Sequence, residues 1–203
     1  MKLRSETFLT NEEERLLLRI ARTALETWVR EERRLDLSGY SLTPALRESH
    51  GAFVTLRRGG ELRGCIGYTT HGEPLAEAVR DNAINASSRD PRFDPVTEDE
   101  LPEIVVEVSA LSHGDTPDTP FRRVSDISEI VIGRDGLYIE RPPYRGGILL
   151  PQVATDHDWD VGQFLAAVCR KAGYPDRAWE LPNARLYRFS AQVFSEADLQ
   201  EEA

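Results

Sequence analysis

The sequence predicts an α+β fold. Two stretches, near residues 10–32 and 158–172, carry the 3.6-residue apolar repeat of amphipathic helices. Shorter runs alternate, or are continuously apolar, in the manner of strands. Two of these, 52–57 and 61–68, flank Gly59-Gly60, a hairpin signal because glycine accepts the positive φ of such turns. No strand–turn–helix carries the glycine fingerprint of a dinucleotide-binding βαβ unit.

The first helix begins at Thr10. Thr10 and Glu13 have the spacing of a capping box, and Leu16, Leu17, Ile20, Ala24 and Trp28 recur at helical spacing on a packing face. Residues 33–51 are mixed and predict loop with a short turn. In the hairpin, alternation puts Arg63, Cys65 and Gly67 on one face and Leu62, Gly64, Ile66 and Tyr68 on the other. The apolar residues of the second set are expected in the core. A plain two-residue loop sets Val54 opposite Cys65 and Leu56 opposite Arg63. Glycines at 64 and 67 mark a bulge or a close backbone approach.

Residues 69–73 predict a loop and 74–88 a helix packing through Leu75, Ala78, Val79 and Ala86. Pro91 and Pro95 exclude a regular helix over 90–96. There, Asp90 and Arg92 are spaced to pair, with Phe93 as apolar anchor. A capped turn at 97–100 leads into a strand over 104–111. Residues 112–125 predict a surface loop and 137–140 a strand. A turn over 142–147 is followed by an apolar run whose Pro151 implies an edge or bend. The second strong helix ends at Gly173, a natural C-terminal cap, and carries Cys169 on its packing side. Residues 184–194 alternate as a closing strand. The acidic tail, 197–203, is expected to fray. The N-terminal helix and the closing strand each have an apolar face that nothing local covers, so both are expected in the same unit.

Composition narrows the function classes. The chain has 203 residues, 40% hydrophobic and 30% charged, which suits a globular domain. A net charge of -10 argues against broad phosphate-backbone binding, so no nucleic-acid partner is expected. No apolar run approaches the ~20 residues of a membrane span, and the first ten residues lack a signal-peptide core. Two cysteines are no disulfide framework, so a reducing cytoplasm is expected.

Chemistry concentrates on Glu61-Leu62-Arg63-Gly64-Cys65-Ile66-Gly67-Tyr68. Cys65 is the best nucleophile candidate. Arg63 on its face would favour the thiolate if the side chains meet. Four histidines, His50, His71, His113 and His157, are candidate bases, and the loop positions of His71 and His113 suit them best. The catalytic candidates are Cys65, Arg63 and His71. The ligand-binding candidates are Gly64, Gly67, Asp90, Arg92 and Gln152. No metal site or cofactor is predicted, because Cys65 and His71 lack a second close pair to complete a zinc site. The competing reading is a buried structural cysteine in a tight hairpin.

The ordered set of segments adds a resemblance. FVTL (53–56), LRGCIG (62–67), DPRFDPV (90–96), EL (100–101), VSAL (108–111), LLPQVA (149–154), WD (159–160), FL (164–165) and CRKAG (169–173) occur in this order across most of residues 50–175. This resembles the AMMECR-one domain family, in its prokaryotic form. The resemblance implies antiparallel sheets and helices in two closely associated subdomains of one compact unit, here 8–196. It implies that LRGCIG is the proposed functional site. It supplies no settled reaction. Such proteins are often encoded beside a Memo-like protein and a radical-SAM protein, which are the partners expected. Two functional readings follow: a Cys65-centred enzyme or small-ligand site in a modification pathway, or a non-catalytic binding or adaptor module.

Overall fold

The structure is a computed structural model that describes residues 8–69, 72–116 and 119–201. They form two compact units. One runs to Ala110 and resumes at Gln192; the other is Leu111–Ala191. All strand pairings within them are antiparallel. No helix among the described residues is long and apolar enough to cross a membrane.

The first unit is built on strands β1 (Ala52–Arg58), β2 (Glu61–Tyr68) and β3 (Ile104–Leu111), with β1 in the middle. Helices α1 (Asn11–Glu31) and α3 (Leu75–Ser88) share its core, and α2 (Pro44–Arg47) is the short turn expected within 33–51. The α1 start is the predicted capping box, with Thr10 and Glu13 bonding reciprocally. Ala52, Val54 and Leu56 alternate inward and pair with Ala110, Val108 and Val106, so the core is a continuous aliphatic layer. Phe53, Thr55 and Arg57 take the opposite face, with Val105, Glu107 and Ser109 beside them.

The expectation that the first helix and the closing strand share one unit holds only from Gln192 on, because residues 184–191 belong to the other unit. Gln192 Oε1 accepts from the backbone N–H groups of Phe8 (3.1 Å) and Leu9 (3.0 Å). Arg22 Nε donates to Glu196 Oε1 (2.8 Å), and Val106 N–H donates to Glu196 Oε2 (2.8 Å). Of the tail expected to fray, the described part is helix α6 (Glu196–Glu201), begun by Ser195 and Asp198 bonding reciprocally, and residues 202–203 lie outside the described residues.

The second unit orders its strands β6 (Tyr144–Leu149), β5 (Asp135–Arg141), β7 (Arg185–Ser195) and β4 (Arg122–Arg123). Of β7, the part before Gln192 belongs here. Helices α4 (Pro151–Asp156) and α5 (Val161–Lys171) complete the unit, and Phe164, Leu165 and Val168 bury against Leu137 and Ile139. Three expectations need correction. The segment around Pro151 is a helix start, because proline is preorganised for the first helical position. β6 begins at Tyr144, so the expected turn over 142–147 shrinks to two residues. The second strong helix starts at Val161, because Asp158 has φ 53° and Asp160 is the residue that caps it.

Candidate functional site

The hairpin register differs from the simple expectation. Thr55, rather than Val54, is opposite Cys65, and Leu56 is opposite Gly64. A bulge sits at this point, because Arg57 pairs with Leu62 and Arg63 is the extra residue. A one-residue insertion flips every side chain beyond it. Leu62 is therefore turned off the core face and is 37% exposed, although alternation made it core. Tyr68, at the strand's end, is also exposed rather than core.

The bulge re-aims Arg63 away from the thiol and onto Glu100, which it grips with two bonds, Nε to Oε1 (2.8 Å) and Nη2 to Oε2 (2.9 Å). Its Nη1 donates to the Asp94 carbonyl (3.0 Å). The expected Arg63 support for a Cys65 thiolate is corrected accordingly.

The segment 90–96 packs along the outer edge of β2. Cys65 N–H donates to Asp90 Oδ2 (2.8 Å), and Arg92 Nη2 donates to the Cys65 carbonyl (3.3 Å). Asp90 and Arg92 pair as their spacing suggested, Nε to Oδ1 at 2.9 Å and Nη2 to Oδ2 at 2.6 Å. Phe93 lies between two guanidinium groups, 5.9 Å from that of Arg63 and 5.5 Å from that of Arg92. Asp90 is buried. The Arg92 guanidinium, with the donated N–H groups of Cys65 and Arg92, holds its carboxyl down at about 2. Arg63 does the same for Glu100, also at about 2.

These depressed values link the clamp to pH. A carboxylate whose folded pKa lies below its unfolded value adds stability above the unfolded value and loses it as pH falls through the folded one. The unfolded values are near ~3.9 for Asp and ~4.3 for Glu. Allowing for solvent screening, each pair should contribute about 1–2 kcal/mol at neutral pH, lost between about pH 5 and pH 2. Urea titrations across that range check this: Asp90→Asn/Glu100→Gln should flatten the acid limb, and an unchanged limb would refute the linkage.

Cys65 itself is half-buried. Burial pushes its thiol up; the hydrogen bond from Thr55 and the charge of Arg92 oppose this, while Asp90 and Glu107 add to it. Thr55 Oγ1 donates to Cys65 Sγ at 3.4 Å. Strand pairing sets Cys65, Thr55 and Glu107 in one row across the sheet face that points away from α3. Burial thus works against the thiolate, opposite to the expected depression. Cys169 in the second unit is fully buried, and burial raises its thiol too.

The glycines serve packing. A Cβ on Gly64 would overlap the Ala86 carbonyl oxygen of α3, and one on Gly67 would overlap the Ala52 carbonyl oxygen and the Phe53 ring. Close backbone approach is the alternative that holds for both. Of the histidines, His50 is buried and stacked on Phe8 (4.7 Å). His157 stacks on Trp159 in the second unit (4.6 Å). His113 belongs to the second unit, and His71 lies outside the described residues. Gln152 also belongs to the second unit, on α4, with Thr155 Oγ1 donating to its carbonyl (2.8 Å). Cys65, Asp90 and Arg92 are therefore joined into one constellation, and Arg63 flanks it. Sequence reasoning missed Glu100, Thr55 and Glu107. The capping-box spacing of Thr97 and Glu100 signalled the turn but not the arginine it holds.

An α+β chain with this clamped hairpin is a member of the AMMECR1 family, whose model matches residues 18–194. A protein of Methanothermobacter thermautotrophicus is 45% identical over 191 residues, covering 93% of this chain and 96% of that protein. One from Aeropyrum pernix is 44% identical, covering 90% of this chain and 78% of that protein. The crystal structure of Uncharacterized Protein PH0010 from Pyrococcus horikoshii superposes with a TM-score of 0.85 at 37% identity, covering 93% of each chain.

Proposed function

We propose that this chain is a non-catalytic binding module whose LRGCIG hairpin presents a rigid surface to a partner. One observation carries this reading: both backbone polar groups of Cys65 are engaged by Asp90 and Arg92, and burial pushes its thiol up. A nucleophile needs the thiolate and an adjacent base. Among the described residues, the groups acting on this thiol are a hydroxyl, an arginine and two carboxylates, with no histidine among them. Exposed Leu62 on the hairpin supplies an apolar contact. The partners proposed are Memo-like and radical-SAM proteins, on the strength of the family resemblance, with the radical enzyme supplying the difficult chemistry. The setting proposed is the cytoplasm, supported by two free cysteines, and the net charge of -10 supports the absence of a nucleic-acid partner.

The second reading, a Cys65-centred enzyme, draws on the hydroxyl of Thr55 and the carboxylate of Glu107 in the row of Cys65. One experiment separates the two. Binding of the purified Memo-like and radical-SAM proteins is measured by calorimetry, and Cys65 alkylation is followed against pH. The module reading expects Cys65→Ser to bind like wild type, Leu62→Asp to bind about tenfold more weakly or worse, and alkylation to keep rising past pH ~8.5. An alkylation midpoint below that value, with turnover lost in Cys65→Ser while binding persists, would establish the enzyme. Absence of binding to either protein sinks the module as described.

A further inference from the structure

A cavity of about 530 Å³ opens in the first unit beside α3, lined in part by Trp28, Ala52, Tyr68, Asn82 and Asn85. Small-molecule sites commonly span about 300–1,000 Å³. Asn82 is 1% exposed, and its Nδ2 donates to the Ala52 carbonyl at 3.0 Å. That bond fixes the amide's orientation, because of its two ends only the NH2 can donate to a carbonyl. The other end, Oδ1, is therefore an acceptor, and it is buried with no hydrogen-bond partner among the described residues. Buried polar atoms are rarely left so.

The surroundings narrow the ligand. Asn85 follows Asn82 by three residues, which brings a second carboxamide to the same helix face. Trp28 and Tyr68 bring flat aromatic surfaces, and Tyr68 is 58% exposed at the end of a strand whose alternation called for core. Of the charges in the wall, Asp81 is held by Arg34 (2.6 Å) and Arg80 (2.8 Å), and the remaining Glu73 and Arg89 are opposite in sign, so the wall leaves no strong demand for an ion. Carboxamides read the donor and acceptor edge of a flat heterocycle, and aromatic rings stack on its face.

We infer that this cavity binds a small, uncharged planar heterocycle of nucleobase type, whose ring or amide N–H is received by Asn82 Oδ1. The site lies on the α3 side of the sheet, with Tyr68 at the end of β2 and Cys65 on the opposite face, and it does not depend on the partner-binding reading. The test uses small molecules alone, so the two can fail independently.

The full chain, labelled with ¹⁵N, is titrated with adenine, uracil, hypoxanthine and nicotinamide. 6-Dimethylamino-9-methylpurine and 1,3-dimethyluracil serve as donor-free counterparts. The readout is the Asn82 side-chain amide and the Trp28 indole N–H. At least one N–H heterocycle should shift both signals at sub-millimolar concentration. If that ligand is adenine or uracil, its methylated counterpart should bind about tenfold more weakly or worse; if it is hypoxanthine or nicotinamide, 1,9-dimethylhypoxanthine or N,N-dimethylnicotinamide takes that place. Asn82→Leu should lose the binding to a similar degree. Tyr68→Ala keeps the test open if Asn82→Leu fails to fold, because Tyr68 is exposed, and it should weaken binding severalfold. No shift at Asn82 with any of the four, equal affinity of the methylated form, or unchanged affinity in Tyr68→Ala would overturn the assignment.

Discussion

Asp90→Ala should lower the unfolding free energy by about 2–3 kcal/mol, the scale for leaving a buried N–H donor without its acceptor. Asp90 is 5% exposed. Its carboxylate accepts from Cys65 N–H (2.8 Å), Arg92 N–H (3.1 Å) and the Arg92 guanidinium. Alanine leaves the Cys65 N–H and the guanidinium without their acceptor. Equilibrium urea unfolding measures this, with the denaturant slope expected unchanged. Asp90→Ala/Arg92→Ala should recover part of the loss, because the uncompensated charge is then gone. A cost below about 1 kcal/mol would mean that water replaces the carboxylate, and that the segment 90–96 does not hold the strand.

Gly64→Ala is expected to cost about 3 kcal/mol, at the upper end for overpacking. The added Cβ meets the Ala86 carbonyl oxygen, which is main chain of α3, so no flexible side chain can swing aside. Either β2 or α3 must move. For a chain of this size that corresponds to a melting point lower by about 6–12 °C. Gly72→Ala is the matched control, because a Cβ there meets nothing within 4 Å, and it should stay within about 0.5 kcal/mol of wild type. A melting point for Gly64→Ala equal to that of the control would show that the strand and helix are less closely apposed than described.

Local patterns carried much of this fold. The α1 capping box, the Gly59-Gly60 hairpin, β3, the buried Cys169 and the Asp90–Arg92 pair were all visible, because each depends on residues close in sequence. The bulge was not. Gly64 signalled an irregularity, but only the contact with Ala86, twenty-two residues away, determines where the extra residue falls. The misplacement of Leu62 and the misdirection of Arg63 both follow from that one insertion. The Cys65 thiol was misjudged for the same reason: its neighbours are set by strand register and by segment 90–96, not by the arginine two residues before it. The Asn82 cavity escaped because its walls come from segments scattered between Trp28 and Asn85.

The clamp on β2 has a consequence for self-association. β2 stands at the end of its sheet, and the end of a sheet is a template on which another chain can add a strand. At Cys65 that template is blocked by one carboxylate and one guanidinium rather than by a covering strand or a run of surface lysines. The protection is therefore as sensitive to acid as the carboxylate is. Near pH 2 the folded chain would regain an open sheet edge beside an exposed leucine, so acid is the condition under which intermolecular strand pairing, the first step toward fibrous aggregation, becomes accessible.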